Sequence, residues 1–209
     1  PRMKMKKYVL LICLFCYYSV VNSAKAQHVD SCYKAGQFYS EHGAYDQALK
    51  HYFEALKECQ PEAWSERSKV TNAVGLVYIR IDERTKARTY LNLALDYAAK
   101  SKDDVAVSYA ENNLGMLEQN AGNAEKAIAH YKRSLQLKKK MRDSLAISRS
   151  LTNLGTIEVE QGEFREGLNY YFESLSYKLA LEDSIGLATL YCNIGDAYGN
   201  LGILDSTHF

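Results

Sequence analysis

Histidine, serine and cysteine are the side chains that could do nucleophilic or metal chemistry here, so their spacing decides whether a catalytic site is expected. A zinc-protease helix holds two histidines four residues apart around a glutamate, and a phosphate loop ends in Lys-Ser or Lys-Thr after a glycine-rich turn. The chain shows neither pattern, and no serine stands in a Gly-x-Ser-x-Gly elbow. We expect no catalytic residue, no metal ion and no cofactor. The histidines are His28, His42, His51, His130 and His208.

The composition indicates a helix-rich folded chain without a nucleic-acid partner. Of the 209 residues 47% are hydrophobic, and only Pro1 and Pro61 are prolines, the residue that most strongly interrupts a helix. Five of the 26 bases precede Gln27, so the rest of the chain holds 21 bases against 25 acids. A nucleic-acid face needs clustered Lys and Arg, and we therefore expect no DNA or RNA partner.

The N-terminal segment resembles an export signal. Met3 to Lys7 form a basic start, Tyr8 to Val21 a continuous and mainly apolar run, and Ala24-Lys25-Ala26 a small-x-small cleavage site. An uncleaved membrane anchor is the alternative, but this run is shorter than the roughly 20 apolar residues needed to cross a bilayer. We predict a signal peptide over residues 3–26 and a periplasmic or extracellular location.

Glycines recur at intervals that predict a repeat fold. Their spacing is almost constant at about 40 residues, as in arrays of helical repeats. A residue that tolerates a left-handed backbone follows each glycine by seven positions. After each of the first four glycines, a small residue and then a bulky one follow at helical spacing. This order predicts one helical hairpin per repeat, with its second helix pressed on the first. The glycines are Gly36, Gly75, Gly115, Gly155 and Gly195, and the turn residues are Gly43, Asp82, Gly122, Gly162 and Gly202.

This pattern resembles the tetratricopeptide repeat, whose positions run Leu-Gly, aromatic, Ala, aromatic, Ala over two antiparallel helices. The resemblance implies an all-α, right-handed superhelical α-solenoid of helical hairpins. After the predicted signal peptide at 3–26, the resemblance implies repeats at 29–66, 67–106, 107–146 and 147–186, and an incomplete fifth repeat at 187–209. The period is longer than the roughly 34 residues that are usual for this family. Asp103, Asp143 and Asp183 mark the extra junctions, where we predict helix N-caps.

In this family the first helix of each repeat lines the concave surface, which implies a groove rich in side-chain amides. Amides donate and accept hydrogen bonds, which suits the backbone of an extended peptide. Alternatively, the asparagines fix the stacking of neighbouring repeats, and the two basic residues Lys69 and Arg149 are solvated. The run Lys138 to Lys140 with Arg142 is interpreted as a solvated helix end. The predicted groove residues are Lys69, Asn72, Asn112, Asn113, Gln119, Asn120, Arg149, Asn153, Asn193 and Asn200.

Cys32 and Cys59 lie near the start of the first helix and the end of its antiparallel partner, so they are expected to meet. An exported chain allows a disulfide between them, which would stabilise the fold by about 3.5 kcal/mol. Two buried thiols are the alternative.

The function these features predict is an exported scaffold, not an enzyme, that binds a protein or peptide partner in its groove. The alternative is the N-terminal sensor region of a truncated bacterial signalling protein, a histidine kinase or transcriptional regulator, because exported arrays with this period resemble such regions. A noncatalytic subunit of a larger complex is a third possibility. A membrane is expected only through the signal sequence or a missing C-terminal part.

Overall fold

The computed structural model describes the backbone of residues 2–202 and the side chains of residues 21–202. This described part is built from nine α-helices and contains no strand. The helices are α1 (Arg2–Glu41), α2 (Tyr45–Glu58), α3 (Trp64–Arg80), α4 (Arg84–Ser101), α5 (Asp104–Asn120), α6 (Ala124–Met141), α7 (Ser144–Glu160), α8 (Phe164–Ala180) and α9 (Ser184–Asn200).

The helices pack as four successive hairpins, α1/α2, α3/α4, α5/α6 and α7/α8, with α9 against α8. Each second helix also contacts the first helix of the next hairpin, and first helices of successive hairpins meet at α1/α3, α3/α5 and α7/α9. Contacts between sequence neighbours are the mark of a solenoid, so the predicted α-solenoid of helical hairpins is confirmed. The first helices of the second to fifth repeats, α3, α5, α7 and α9, begin at residues 64, 104, 144 and 184, three residues ahead of each predicted repeat boundary.

The repeated glycines allow each hairpin to close. A Cβ atom on Gly115 would lie 2.7 Å from the Tyr131 ring, and one on Gly155 would lie 2.4 Å from the Tyr171 ring. Both tyrosines are almost completely buried. The pairing of a glycine with a bulky residue therefore sets the distance between the two helices of a hairpin.

Residues with a left-handed backbone conformation follow the helices at the turns that the sequence predicts. All five turn residues predicted within the hairpins have positive φ, between 58° at Asp82 and 84° at Gly162. Between hairpins, positive φ falls on Lys102, Arg142 and Glu182, each just before a capping aspartate. The predicted N-caps are confirmed. Their side chains accept hydrogen bonds from the backbone N–H groups of Ala106, Ala146 and Gly186 over 3.0, 3.0 and 2.9 Å.

Helix α1 continues without a break across the predicted cleavage site after Ala26. Val29 and Cys32 belong to the core of the first hairpin, and Asn22 accepts a 3.4 Å hydrogen bond from Gln60. Among the described residues, none of the helices has the length and apolar character that crossing a membrane requires.

Candidate binding groove

The first helices of three successive hairpins enclose a cavity of about 460 Å³. Its walls come from α1, α3 and α5, the helices expected to line the concave face. The Lys69 ammonium lies 4.1 Å from the centre of the Tyr33 ring, and both side chains line the cavity. Val105 and Tyr109 are about half exposed. The cavity is lined by Tyr33, Gln37, Ser65, Ser68, Lys69, Asn72, Asp103, Val105, Ala106 and Tyr109.

The asparagines of the groove bond to one another across neighbouring hairpins. Asn113 donates to Asn72 over 3.0 Å, and Asn153 donates to Asn112 over 3.3 Å. Both donors stand two residues before the repeat glycine, and both acceptors stand three residues before it. This geometry favours the stacking interpretation for Asn113 and Asn153. Asn72 and Asn112 use only their side-chain oxygens in these two hydrogen bonds, so their side-chain N–H groups can still donate.

The remaining predicted groove residues do not line this cavity. Gln119 accepts from the Tyr131 hydroxyl over 2.7 Å and donates to Glu160 over 2.7 Å. Asn200 donates to a backbone carbonyl one turn earlier on its own helix. Asn120 and Arg149 are exposed, and Asn193 is half-buried. The structure therefore brings Lys69 and Asn72 to one cavity, whereas Arg149 lies on α7.

Lys138 is a buried cation that the sequence analysis missed. Its ammonium donates to the Ser150 hydroxyl over 2.7 Å and to Asn112 over 3.5 Å, between α5 and α7. Burial lowers the pKa of Lys138 to about 8; Asp143 partly offsets this effect and Arg149 adds to it. The interpretation of the whole basic run as solvated is wrong for Lys138, which is 3% exposed. The signal was the lysine at the same position of the next repeat, Lys178, which is also buried.

Buried carboxylates also join helices in this region. Glu111 on α5 accepts from His130 over 2.6 Å and from Arg133 over 3.1 Å, both on α6. Glu118 pairs with Arg88 of the preceding hairpin and accepts from Asn123 over 2.8 Å. These ion pairs act between packed helices, so they contribute to structure and not to a reactive site.

The expected disulfide is not formed in this structure, where Cys32 and Cys59 are both free, buried thiols in one core cluster. The Cys32 Sγ atom lies 3.6 Å from His28 Nε2. With Glu54, these two residues place three metal-ligating atoms within 4.8 Å of one another. The histidine spacing in the sequence does not reveal this group, because the two ligands on α1 are a histidine and a cysteine, His28 and Cys32, four residues apart.

The stacked hairpins and the concave cavity define the chain as a helical-repeat interaction protein. The sequence pattern of the tetratricopeptide repeat matches residues 66–140 and again residues 106–180. These matches together span 66–180, more than half of the 209-residue chain. The chain therefore belongs to the tetratricopeptide-repeat family. No curated protein matches the sequence.

Several solved structures are similar to this fold. BtubC (BKLC) from P. vanneervenii has a TM-score of 0.72 at 16% identity, over 86% of this chain and 82% of its own. A Rap protein complexed with competence and sporulation factor has a TM-score of 0.74 at 18% identity, over 85% and 50%. A STAND signal-transduction ATPase with a tetratricopeptide-repeat sensor, from Pyrococcus horikoshii, has a TM-score of 0.76 at 18% identity, over 83% and 27%. At these identities the likeness shows the fold alone.

Proposed function

We propose that the chain is a scaffold, not an enzyme, and that it binds an extended segment of a protein partner in the groove formed by α1, α3 and α5. The observation that carries this proposal is the cavity of about 460 Å³, whose walls come from three successive hairpins. A cavity that crosses hairpin boundaries suits a chain lying along the solenoid. The Rap protein, which has a similar fold and is complexed with a factor, supports binding as the activity.

The side chains that line the groove suit a partner segment that presents its backbone carbonyl groups and apolar side chains. Val105 and Tyr109 offer exposed apolar surface, and partly buried apolar pockets set specificity for side chains. The side-chain N–H groups of Asn72, which lines the cavity, are directed donors for peptide carbonyls, because its oxygen is occupied by Asn113. Lys69 adds one positive charge to the lining of the cavity.

Selection of peptides from a random phage-displayed library tests this proposal. We expect selected peptides to lose at least about tenfold in affinity for Tyr109→Ala, because aromatic anchors dominate such interfaces. We expect a loss of the same size for Lys69→Ala, because Lys69 lies against the Tyr33 ring that also lines the cavity. Gln136→Ala is the matched control, since Gln136 is exposed on α6, the second helix of the hairpin that holds Tyr109. Peptides that bind all three variants alike would place the binding surface elsewhere, and failure to select any peptide would contradict the proposal.

A sensor role is the second candidate, favoured by the likeness to a STAND protein that has a tetratricopeptide-repeat sensor. The same groove would then bind the signal. Reading the gene beyond the codon for Phe209 distinguishes the two. An in-frame membrane span with a kinase or DNA-binding region supports the sensor, and a stop codon after a polar helix supports the free scaffold.

Export is part of the proposal and depends on the basic start and apolar run of residues 3–26. Cleavage after Ala26 would remove Asn22, the acceptor of the Gln60 hydrogen bond, and leave Val29 and Cys32 in the first hairpin. N-terminal sequencing of the protein from its native cells is expected to begin at Gln27. A sequence that still begins near Met3 would contradict cleavage.

A further inference from the structure

We propose that His28, Cys32 and Glu54 bind one zinc ion between α1 and α2. The three side chains come from both helices of the first hairpin, and their ligand atoms lie within 4.8 Å of one another. None of them lines the groove cavity, so the proposal is independent of the partner-binding proposal.

The distances fit tetrahedral zinc. Bonds of about 2.05 Å to nitrogen and about 2.3 Å to sulfur, at a tetrahedral angle, separate the two ligand atoms by about 3.6 Å. The His28 Nε2 and Cys32 Sγ atoms are 3.6 Å apart. The Glu54 Oε1 atom lies 3.8 Å from the same nitrogen. An ion placed between the three atoms therefore needs only small side-chain rotations.

The local structure aligns the pair on α1. Residues four apart on a helix lie on one face, which puts His28 directly above Cys32. Gly36, one turn further, lets the Tyr52 ring approach α1 closely and so brings α2 near. Glu54, two residues after Tyr52, then reaches the histidine across the hairpin. The helices that form the repeat thus also place the third ligand.

The burial of the three residues suits a cation that enters from solvent. Cys32 is 6% exposed, whereas the side chains of His28 and Glu54 are about half exposed. The thiolate would approach from the core, and the imidazole and carboxylate from the surface, leaving a fourth position open to water or to a further ligand. Imidazole, thiolate and carboxylate together match zinc better than magnesium or calcium, which prefer oxygen.

Charges around the site favour a cation. Burial raises the pKa of the Cys32 thiol, and the Glu54 and Glu58 carboxylates raise it further. A divalent ion would compensate these negative charges, so zinc binding releases the thiol proton to the solvent. His51 lies on the far side of Glu54, its Nδ1 atom 3.8 Å from Oε2, and its ring stacks on Tyr39. At 3.8 Å these atoms are too far apart for a hydrogen bond, so His51 would orient the carboxylate less firmly than a hydrogen-bonded outer partner of a metal ligand does.

Metal titration of the 209-residue chain tests the proposal, in a Cys13→Ser/Cys16→Ser background under nitrogen. Zinc sulfate is expected to bind once per chain and to raise the melting temperature. Cobalt chloride is expected to give the near-ultraviolet thiolate-to-cobalt charge-transfer band. Absence of both saturable zinc binding and the cobalt band would overturn the proposal.

Variants identify the ligands. Cys32→Ser should abolish the cobalt band. Glu54→Gln should weaken zinc binding by more than about 100-fold, a larger loss than the removal of a residue that only supports a ligand would cause. His51→Ala should weaken it by less, at most about tenfold, because no hydrogen bond joins His51 to Glu54. Glu54 is half exposed, so Glu54→Gln keeps the test valid if Cys32→Ser unfolds. The controls Cys192→Ser and Asp46→Asn should bind as the unsubstituted chain does; unchanged zinc affinity in Glu54→Gln, or an unchanged band in folded Cys32→Ser, would exclude this site.

Discussion

The Asn113 side chain donates a 3.0 Å hydrogen bond to the Oδ1 atom of Asn72, which lies 41 residues earlier on the first helix of the preceding hairpin. Asn153 and Asn112 repeat this relationship one hairpin further on. The amide ladder of the groove is therefore partly a set of cross-links between repeats. The same residues that give the groove its polar character also fix the stacking of the hairpins.

Replacing Asn113 with alanine is expected to lower the free energy of unfolding by about 1 kcal/mol, the net value of one such hydrogen bond. Asn113 is buried, so the loss cannot be fully replaced by water. Urea denaturation followed by circular dichroism measures the change. Asn120→Ala, an exposed substitution on the same helix, is the control and should stay within about 0.5 kcal/mol of the unsubstituted chain. Equal stability of Asn113→Ala and Asn120→Ala would show that the ladder does not tie the repeats.

Gly115→Ala and Gly195→Ala are expected to have opposite effects on stability. A Cβ atom on Gly115 would lie 2.7 Å from the Tyr131 ring, so the helices of the hairpin must separate at a cost of about 1–3 kcal/mol. In the 209-residue chain, no described atom outside the neighbouring backbone of its own helix lies within 4 Å of a Cβ atom placed on Gly195. Alanine there should stabilise the helix by about 0.5–1 kcal/mol. The melting temperatures of the two variants check both signs, and a similar decrease in both would contradict the close-approach argument.

The turn and close-packing positions could be predicted from the sequence because they depend on local geometry. Within the hairpins the positive φ falls on Gly or on Asp82, residues that tolerate it, whereas the positive φ of Lys102, Arg142 and Glu182 between hairpins has no such signal in the residue type. The glycine that packs against a bulky residue, such as Gly115 against Tyr131, recurs every 39 or 40 residues. The polar pairs could not be predicted in the same way. Asn113 and Asn72 meet only because the hairpins stack. Lys138 differs in sequence from its exposed neighbours Lys139 and Lys140 only in recurring as Lys178 one repeat later, and its burial depends on the packing of α6 against α5 and α7.

Glu118 and Glu158 occupy the same repeat position and are expected to respond oppositely to neutralisation. The hydrogen bond from Arg88 lowers the pKa of Glu118, whereas burial raises the pKa of Glu158. The position that corresponds to Arg88 in the next repeat is occupied by Ile128. The missing guanidinium explains the different surroundings of the two carboxylates.

At neutral pH, Glu118→Gln should therefore destabilise the fold by about 1–2 kcal/mol, because a charge-assisted hydrogen bond is lost. Glu158→Gln should be neutral or stabilising by up to about 1 kcal/mol, because folding no longer buries a charge. As the pH falls, the contribution of the Glu118 carboxylate is lost when it becomes protonated at its lowered folded-state pKa. Denaturation curves at neutral and acid pH check this, and destabilisation of similar size in both variants at neutral pH would contradict it.

Lys138 is expected to make stability rise with pH in the alkaline range. Its pKa is about 8 in the folded chain, against an ordinary value of 10.5. Below pH 8 the lysine is protonated in both states, and folding bears the full cost of burying the charge. Between pH 8 and 10.5 the unfolded chain binds more protons than the folded chain, so the free energy of unfolding increases, by at most about 3 kcal/mol.

The comparison of Lys138→Met with the unsubstituted chain isolates this effect, because ionisation of tyrosines is common to both. Methionine fills a similar volume without a charge, so the variant should be more stable at pH 7 by about 1–2 kcal/mol, which allows for the lost hydrogen bonds to Ser150 and Asn112. The advantage should shrink and then reverse as the pH passes from 8 to 10.5. An advantage that stays constant over that range would mean that Lys138 keeps an ordinary pKa, and that its ammonium is solvated between α5 and α7 after all.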